Sequence, residues 1–119
     1  MPQPDQLVDI DLDQPRQLYF GLAALKALDR QMGEVGIAKV LEQLRSLNFA
    51  TLDRTIWAGL LHAEPTLSLA VVSKRIETLV DAGGSAAPLF EAAYRGVDGS
   101  RVFGGPDRGN AKPEAVAAT

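Results

Sequence analysis

YFGLAALKAL, residues 19–28, and IWAGLL, residues 56–61, are the two apolar stretches that decide the fold of this chain. In both stretches glycine and alanine stand between large aliphatic and aromatic residues, which recur every three or four positions. That spacing places the large side chains on one side of a helix. Two such helices in a short chain predict a core built by packing helix on helix.

The composition points to the same fold class. The chain has 119 residues, no internal repeat and the length of a single domain. Hydrophobic residues make up 46% of it and aromatic residues only 6%, because leucine, alanine, valine and isoleucine dominate, which favours helices over an aromatic-rich sandwich. We therefore predict a mainly α protein, a compact bundle of about five helices preceded by a short N-terminal β-strand or hairpin.

Charge and residue content exclude several classes of function. The net charge is −3, and the 12 Lys and Arg residues are scattered without a run, so we expect no nucleic-acid partner. The chain has no cysteine, which excludes disulfides and thiolate metal sites. It begins without an export signal, and no apolar run reaches the roughly 18 residues of a membrane span. We expect a cytoplasmic protein with no membrane partner.

The first part of the chain has the alternation of a β-strand. Apolar residues and aspartates take turns over residues 6–12, which places carboxylates on one face and apolar side chains on the other: Val8, Ile10 and Leu12 against Asp9, Asp11 and Asp13. Pro15 interrupts the pattern, and residues 16–20 return as a second strand. A small hairpin is therefore predicted to lead into the first helix.

Five amphipathic helices follow in the prediction. Each is placed by apolar spacing and by residues typical of helix ends. The first helix is predicted at residues 21–32 and the second from residue 37 to about residue 47. The third begins at the cap Asn48 and ends before Pro65, the fourth runs from the cap Ser68 to Gly83, and the fifth runs from the cap Ser85 to Gly96. Lys74, Arg75 and Glu77 are expected on the solvated side of the fourth helix. Residues 1–97 thus form one helical domain.

The composition changes after Val97. Residues 98–119 are rich in glycine and proline, and their only large apolar groups are Val102 and Phe103. So little apolar surface does not support independent folding. Residues 98–119 are predicted to be a disordered C-terminal tail.

No motif for catalysis is complete. The aspartates of the first strand resemble the opening of a calcium loop, but Gln14 stands where that loop needs glycine and Phe20 where it needs a carboxylate. His62 is the only histidine, and a catalytic arrangement would have to be assembled from it, a serine and an acid such as Glu64. We expect no enzyme, no cofactor and no metal-binding, cofactor-binding or catalytic residues.

Trp57 has two interpretations. A tryptophan buries a large area, so it is an anchor of the core in the first interpretation. In the second, Leu52, Ile56 and Leu60 already supply the core side of the helix, and Trp57 and Leu61 lie at its edge. Such an edge lines a groove for an apolar partner helix.

Residues 16–82 carry a series of short motifs in a fixed order. The series consists of Tyr19-Phe20-Gly21-Leu22-Ala23-Ala24-Leu25, Gly33, residues 52–60 with Trp57-Ala58-Gly59-Leu60, and Pro65, Leu67 and Ser68 opening a helix with Val72 and Ile76. This order resembles the tail assembly chaperones of long-tailed bacteriophages and related gene-transfer particles.

The resemblance implies a non-enzymatic helical protein that coats the tape-measure protein in the host cytoplasm before the tail tube polymerises. It also implies recruitment of tail tube subunits and absence from the mature virion. A long chain with apolar repeats needs a chaperone with negative charge and an apolar groove. We expect Trp57 and Leu61 to bind this partner first, and then Leu22 and Leu25. The open edges of the hairpin also favour a homo-oligomer.

Two other functions stay open at this point. A different tail protein, such as a tail-completion or tube-associated adaptor, would remain in assembled particles. A small helix-turn-helix regulator would place the fourth helix in DNA, with Lys74 and Arg75 as its basic pair.

Overall fold

In the computed structural model, which describes residues 6–104, a two-stranded antiparallel hairpin precedes five helices. The predicted fold class is therefore confirmed. The helices are α1 (Leu22–Gln31), α2 (Ile37–Arg45), α3 (Phe49–Leu60), α4 (Leu69–Asp81) and α5 (Ala87–Asp98), and a 3₁₀ turn at Arg101–Phe103 follows them. Both sequence stretches that predicted helix packing lie in or beside α1 and α3.

The hairpin forms as the alternation predicts. Strand β1 (Leu7–Asp11) pairs with β2 (Pro15–Tyr19), and in this register Val8 lies opposite Leu18 and Ile10 opposite Arg16. Because side chains alternate along a strand, these pairs share one face of the hairpin. Leu18 and Ile10 are buried, whereas Asp9 on the other face is exposed. The hairpin packs on α3 and α5 through its apolar face.

Two of the predicted helix caps are confirmed. The Asn48 side chain accepts a hydrogen bond from the Thr51 amide at 3.0 Å, and Ser68 accepts one from the Val71 amide at 3.2 Å. Such bonds satisfy amides that the first helical turn leaves without partners. The prediction for α5 is wrong at both ends, because the cap residue is Ala86 and the helix continues through Gly96 to Asp98.

The buried core lies where the helices and the hairpin meet. Its largest fully buried apolar side chains come from every helix and from β2: Leu18, Leu28, Val40, Leu44, Leu52, Ile56, Leu60, Val72, Leu89 and Val97. Apolar area removed from water is the main favourable term in folding. The core is thus shared by the whole described chain, as in a single domain.

Phe20 joins the two apolar stretches. Its ring packs between α3 and α5 at two glycines: a Cβ atom on Gly59 would lie 2.8 Å from the ring, and one on Gly96 would lie 2.6 Å from it. Both distances are shorter than a carbon contact allows, so only glycine lets the two helices approach the ring. Gly96 is therefore a packing residue inside α5 and not its end.

Four charged side chains connect the hairpin to α4. Glu64, in the connection between α3 and α4, accepts hydrogen bonds from Arg16 at 3.0 Å and from both terminal nitrogens of Arg75 at 3.0 and 3.1 Å. Arg16 also donates to both carboxylate oxygens of Asp13, at 2.7 and 2.8 Å. Arg75 is therefore part-buried in an ion-pair network, and its predicted place on the solvated side of α4 is wrong.

The predicted tail begins too early at residue 98. Asp98 is the last residue of α5, and Ser100 is buried and donates a hydrogen bond to the backbone carbonyl of Phe20 at 2.6 Å. The 3₁₀ turn follows directly, with the Ser100 hydroxyl accepting from the Val102 amide. The hydrogen bond from Ser100 to Phe20 thus connects the segment after α5 to the end of the hairpin. The remainder of the predicted tail, residues 105–119, lies outside the described residues.

Candidate functional site

An exposed leucine stands at the start of α1. Gly21 caps this helix with an extended backbone and without a side-chain hydrogen bond, and Leu22 is the first helical residue. The Leu22 side chain is 55% exposed, although it belongs to the apolar stretch that builds the core. Exposed apolar groups gathered at one place mark binding surfaces, so the neighbourhood of Leu22 is the candidate site.

A cleft of about 330 Å³ separates Leu22 from Leu61. Its other walls are Tyr19 at the end of β2, the small residues 21, 23 and 24, and His62. The Tyr19 ring lies against Gly21, where a Cβ atom would approach it to 2.9 Å, and meets the His62 ring edge-on at 5.9 Å between centroids. The cleft is thus an apolar gap between the start of α1 and the end of α3.

A second cleft of about 560 Å³ adjoins the first and shares Tyr19, Gly21 and Leu22 with it. Its far wall consists of the last turns of α5 and the 3₁₀ turn, including Tyr94 and the exposed Val102. We call the two clefts together the Leu22 groove, and its large apolar lining residues are Leu7, Val8, Tyr19, Phe20, Leu22, Leu61, Tyr94 and Val102.

Charged residues occur on one wall of the Leu22 groove. Arg95, Asp98 and Arg101 line the second cleft at the α5 end, whereas the first cleft has no charged Asp, Glu, Lys or Arg among its described lining residues. Arg45 from α2 stacks over the Tyr94 ring at 5.1 Å and donates a hydrogen bond to its hydroxyl, which fixes this ring. The groove combines an apolar floor with a polar end, the usual composition of a recognition surface.

The structure brings together two of the four predicted binding residues. Leu22 and Leu61 line the same cleft. Leu25 is only 3% exposed and packs in the core, so it is not on the surface of the groove. Trp57 lines neither cleft: its part-buried ring packs on the core, and its indole N–H donates to the Leu67 carbonyl at 2.8 Å. Trp57 thereby holds the connection between α3 and α4.

Sequence reasoning missed the wall formed by Tyr94 and Val102. Val102 and Phe103 stand out as an isolated apolar pair in a glycine-rich segment, and this pair is the only sequence signal for that wall. Packing such an apolar pair on the domain helps to offset the entropy cost of ordering a glycine-rich segment. The part-buried Phe103 packs on the core, and the exposed Val102 faces the groove.

A further cavity of about 760 Å³ lies beside the hairpin and contains His62. The Nδ1 atom of His62 is 2.9 Å from the Gly59 carbonyl oxygen, and its ring contacts Tyr19. Arg16 also lines this cavity but is held by Asp13 and Glu64. His62 is oriented by a backbone carbonyl, and Glu64, the acid considered as its partner from the sequence, instead accepts hydrogen bonds from Arg16 and Arg75.

Residues 6–104 contain no group of three or more His, Asp or Glu side chains placed to hold a metal ion. No helix within these residues combines the length and apolar character needed to cross a bilayer.

Comparison of the chain with known protein families, with curated proteins and with solved structures found no match.

Proposed function

We propose that this protein is a tail assembly chaperone of a long-tailed bacteriophage or gene-transfer particle. It binds and solubilises the tape-measure protein in the host cytoplasm, helps to recruit tail tube subunits and is absent from the mature virion. The order of motifs over residues 16–82 supports this proposal by its resemblance to that family. The Leu22 groove supports it with a surface on which an apolar segment fits.

Leu22 is the observation that carries the proposal. Its side chain belongs to an apolar stretch, yet more than half of it faces water between two clefts. Covering a leucine of this kind on binding contributes on the order of 1 kcal/mol. The exposed side chain therefore favours a partner that brings its own apolar residues to this place.

The shape of the groove fits a helical partner. An amphipathic helix binds by inserting side chains spaced three, four and seven residues apart into successive gaps. The two clefts share Tyr19, Gly21 and Leu22 as lining residues and offer two neighbouring gaps for such side chains. Leu61 and Val102 then cover the inserted side chains from the two outer walls. A tape-measure protein with apolar repeats offers many equivalent segments, so many copies of this chain would line up along it.

The test replaces Leu22 with aspartate. Leu22 is exposed and is the first residue of α1, where a negative charge interacts favourably with the helix dipole, so L22D is expected to fold. When the full chain is coexpressed with the tape-measure protein of the same gene cluster, L22D should reduce copurification about tenfold, because the charge must be buried against an apolar surface.

Val35→Asp is the matched control. Val35 is half exposed in the connection between α1 and α2 and lines neither cleft of the groove. This variant should copurify with the tape-measure protein as well as the unchanged chain does. Equal capture by L22D would contradict the role of the groove. Detection of the chain by mass spectrometry as a stoichiometric part of purified particles would contradict the chaperone function and favour a tail component.

A further inference from the structure

A separate cleft of about 240 Å³ lies between the start of α3 and the second half of α4. Its principal lining residues are Phe49, Asp53, Ile76, Glu77, Val80 and Asp81, and we call it the α3–α4 cleft. It shares no lining residue with the Leu22 groove or with the cavity at His62. Any ligand bound here therefore contacts a different surface of the protein.

The floor and one side of the α3–α4 cleft are apolar. Ile76 is buried beneath it, and Phe49 and Val80 are 55% and 41% exposed at its margin. The Phe49 ring is already oriented, because one edge packs against the Phe90 ring at 5.2 Å with an angle of 74°. A large aromatic residue fixed in this way and left half in water is an anchor for a partner side chain.

The remaining margin carries three carboxylates. Lys74 pairs with Glu77 at 3.4 Å, but both side chains are largely exposed, so water competes with this ion pair. Asp81 makes no ion pair within the described part of the chain. The α3–α4 cleft thus presents negative charge next to exposed apolar surface.

Asp53 indicates which charge would complete the site. Burial raises the pKa of Asp53, which Glu77 raises further, while a hydrogen bond from Ser73 and the charge of Arg54 act in the opposite direction. The ionised Asp53 carboxylate is therefore less well stabilised in the folded protein than in water. A cation placed over the cleft would stabilise it.

We propose that the α3–α4 cleft binds a basic amphipathic helix of a protein partner. Its apolar side chains cover Phe49 and Val80, and its lysines or arginines pair with Asp53 and Asp81. Electrostatic complementarity of this kind directs association and selects the partner, while the apolar contact supplies affinity. This inference goes beyond the chaperone function and does not depend on it, because the two surfaces have no residue in common.

The probe is a fluorescein-labelled amidated peptide of about 18 leucines and lysines with the leucines three and four residues apart, which exceeds the roughly 12–15 residues below which an isolated helix is marginal. Its counterpart has glutamate at every lysine position. Fluorescence anisotropy with the full chain should show saturable binding of the lysine peptide that weakens with salt, and none of the glutamate peptide. Failure of the lysine peptide to bind, or equal binding of the two peptides, would overturn the proposal.

Charge variants locate the binding site. The double variant Asp53→Asn and Asp81→Asn should weaken binding about tenfold, because it removes two charges at the cleft and keeps the side-chain shapes. The double variant Asp9→Asn and Asp11→Asn removes the same charge from the hairpin and should change the dissociation constant by less than about twofold. Equal weakening by both variants would mean that the peptide follows net charge, which would overturn the proposal.

An apolar variant and a map of the contact complete the test. Phe49→Ala should also weaken binding about tenfold, with circular dichroism and thermal unfolding used to establish that the variant is folded. In ¹H–¹⁵N spectra of the full chain, the lysine peptide should shift amides of residues 49–53 and 73–81. Shifts centred on the hairpin or on the Leu22 groove would contradict binding at the α3–α4 cleft.

Discussion

Phe20 shows how one side chain determines the composition of two helices. Its ring is only 4% exposed and is enclosed by α3 at Gly59 and by α5 at Gly96. Both glycines lie in the last turn of their helices, and glycine within a helix costs up to about 1 kcal/mol relative to alanine. Here that cost is offset by the burial of a phenylalanine that larger residues at these two positions would displace.

Gly96→Ala is therefore expected to destabilise the protein. The added Cβ would lie 2.6 Å from the Phe20 ring, which is also in close contact with α3 at Gly59. Overpacking should lower the free energy of unfolding by about 1–3 kcal/mol, against the gain in helix propensity. Urea unfolding followed by circular dichroism measures this change.

Phe20→Leu supplies the control for this prediction. In a protein that already carries Phe20→Leu, the smaller side chain leaves room for the Cβ, so Gly96→Ala should cost clearly less stability. Equal destabilisation by Gly96→Ala with and without Phe20 would contradict the packing explanation.

At the scale of elements, the hairpin is attached to the helices on two sides. Its apolar face packs on α3 and α5, and its turn is joined to α4 through the ion-pair network of Asp13, Arg16, Glu64 and Arg75. A two-stranded hairpin is at best marginally stable alone. The helices therefore supply the stability of the strands that form one wall of the Leu22 groove.

Glu64→Gln tests the network that joins these elements. Glu64 accepts hydrogen bonds from both arginines, and its replacement leaves Asp13 to pair with the two part-buried guanidinium groups. The free energy of unfolding should fall by about 1–2 kcal/mol, as for hydrogen bonds to charged groups. Glu42→Gln breaks the exposed pair of Glu42 with Lys39 and should cost less than about 0.5 kcal/mol in the same urea titration. Equal effects would contradict the role of Glu64.

For the whole molecule, the network makes stability depend on acid pH. Hydrogen bonds from Arg16 lower the pKa of Asp13 from 3.8 to about 2, and hydrogen bonds from Arg75 lower the pKa of Glu64 below its ordinary value of 4.5. A carboxyl group whose pKa is lower in the folded state stabilises the protein above its unfolded pKa. That stabilisation is lost as the pH falls toward the folded pKa. The raised pKa of Asp53 has the opposite sign and offsets part of the loss.

We therefore expect the free energy of unfolding to decrease as the pH falls from about 5 to about 2. Urea titrations at successive pH values measure this decrease. Glu64→Gln removes one of the two carboxyl groups whose pKa is lowered. The free energy of unfolding of this variant should therefore change less over the same pH interval. A variant whose pH dependence equals that of the unchanged chain would contradict the assignment to the network.

Local sequence patterns account for most of the described secondary structure. Alternation of apolar residues and aspartates predicts β1, and apolar spacing with Asn48 and Ser68 as caps predicts the helices, because these signals act over a few neighbouring residues. The same local reasoning places the end of α5 wrongly at Gly96. Gly96 does not end the helix, because it keeps a helical backbone and packs against the Phe20 ring.

Only the tertiary structure decided which apolar residues form the candidate site. Leu22 and Leu25 are equivalent by helical spacing, yet Leu25 is in the core and Leu22 is exposed. Trp57 and Leu61 also differ in their surroundings. The Trp57 indole N–H donates a hydrogen bond to the Leu67 carbonyl, whereas Leu61 lines the cleft beside Leu22. The physical reason is that the spacing of apolar residues indicates which side of a helix is apolar, whereas the burial of each residue depends on whether another helix or strand covers it. The end of α3, the start of α1 and the 3₁₀ turn meet around Leu22 and leave the groove between them.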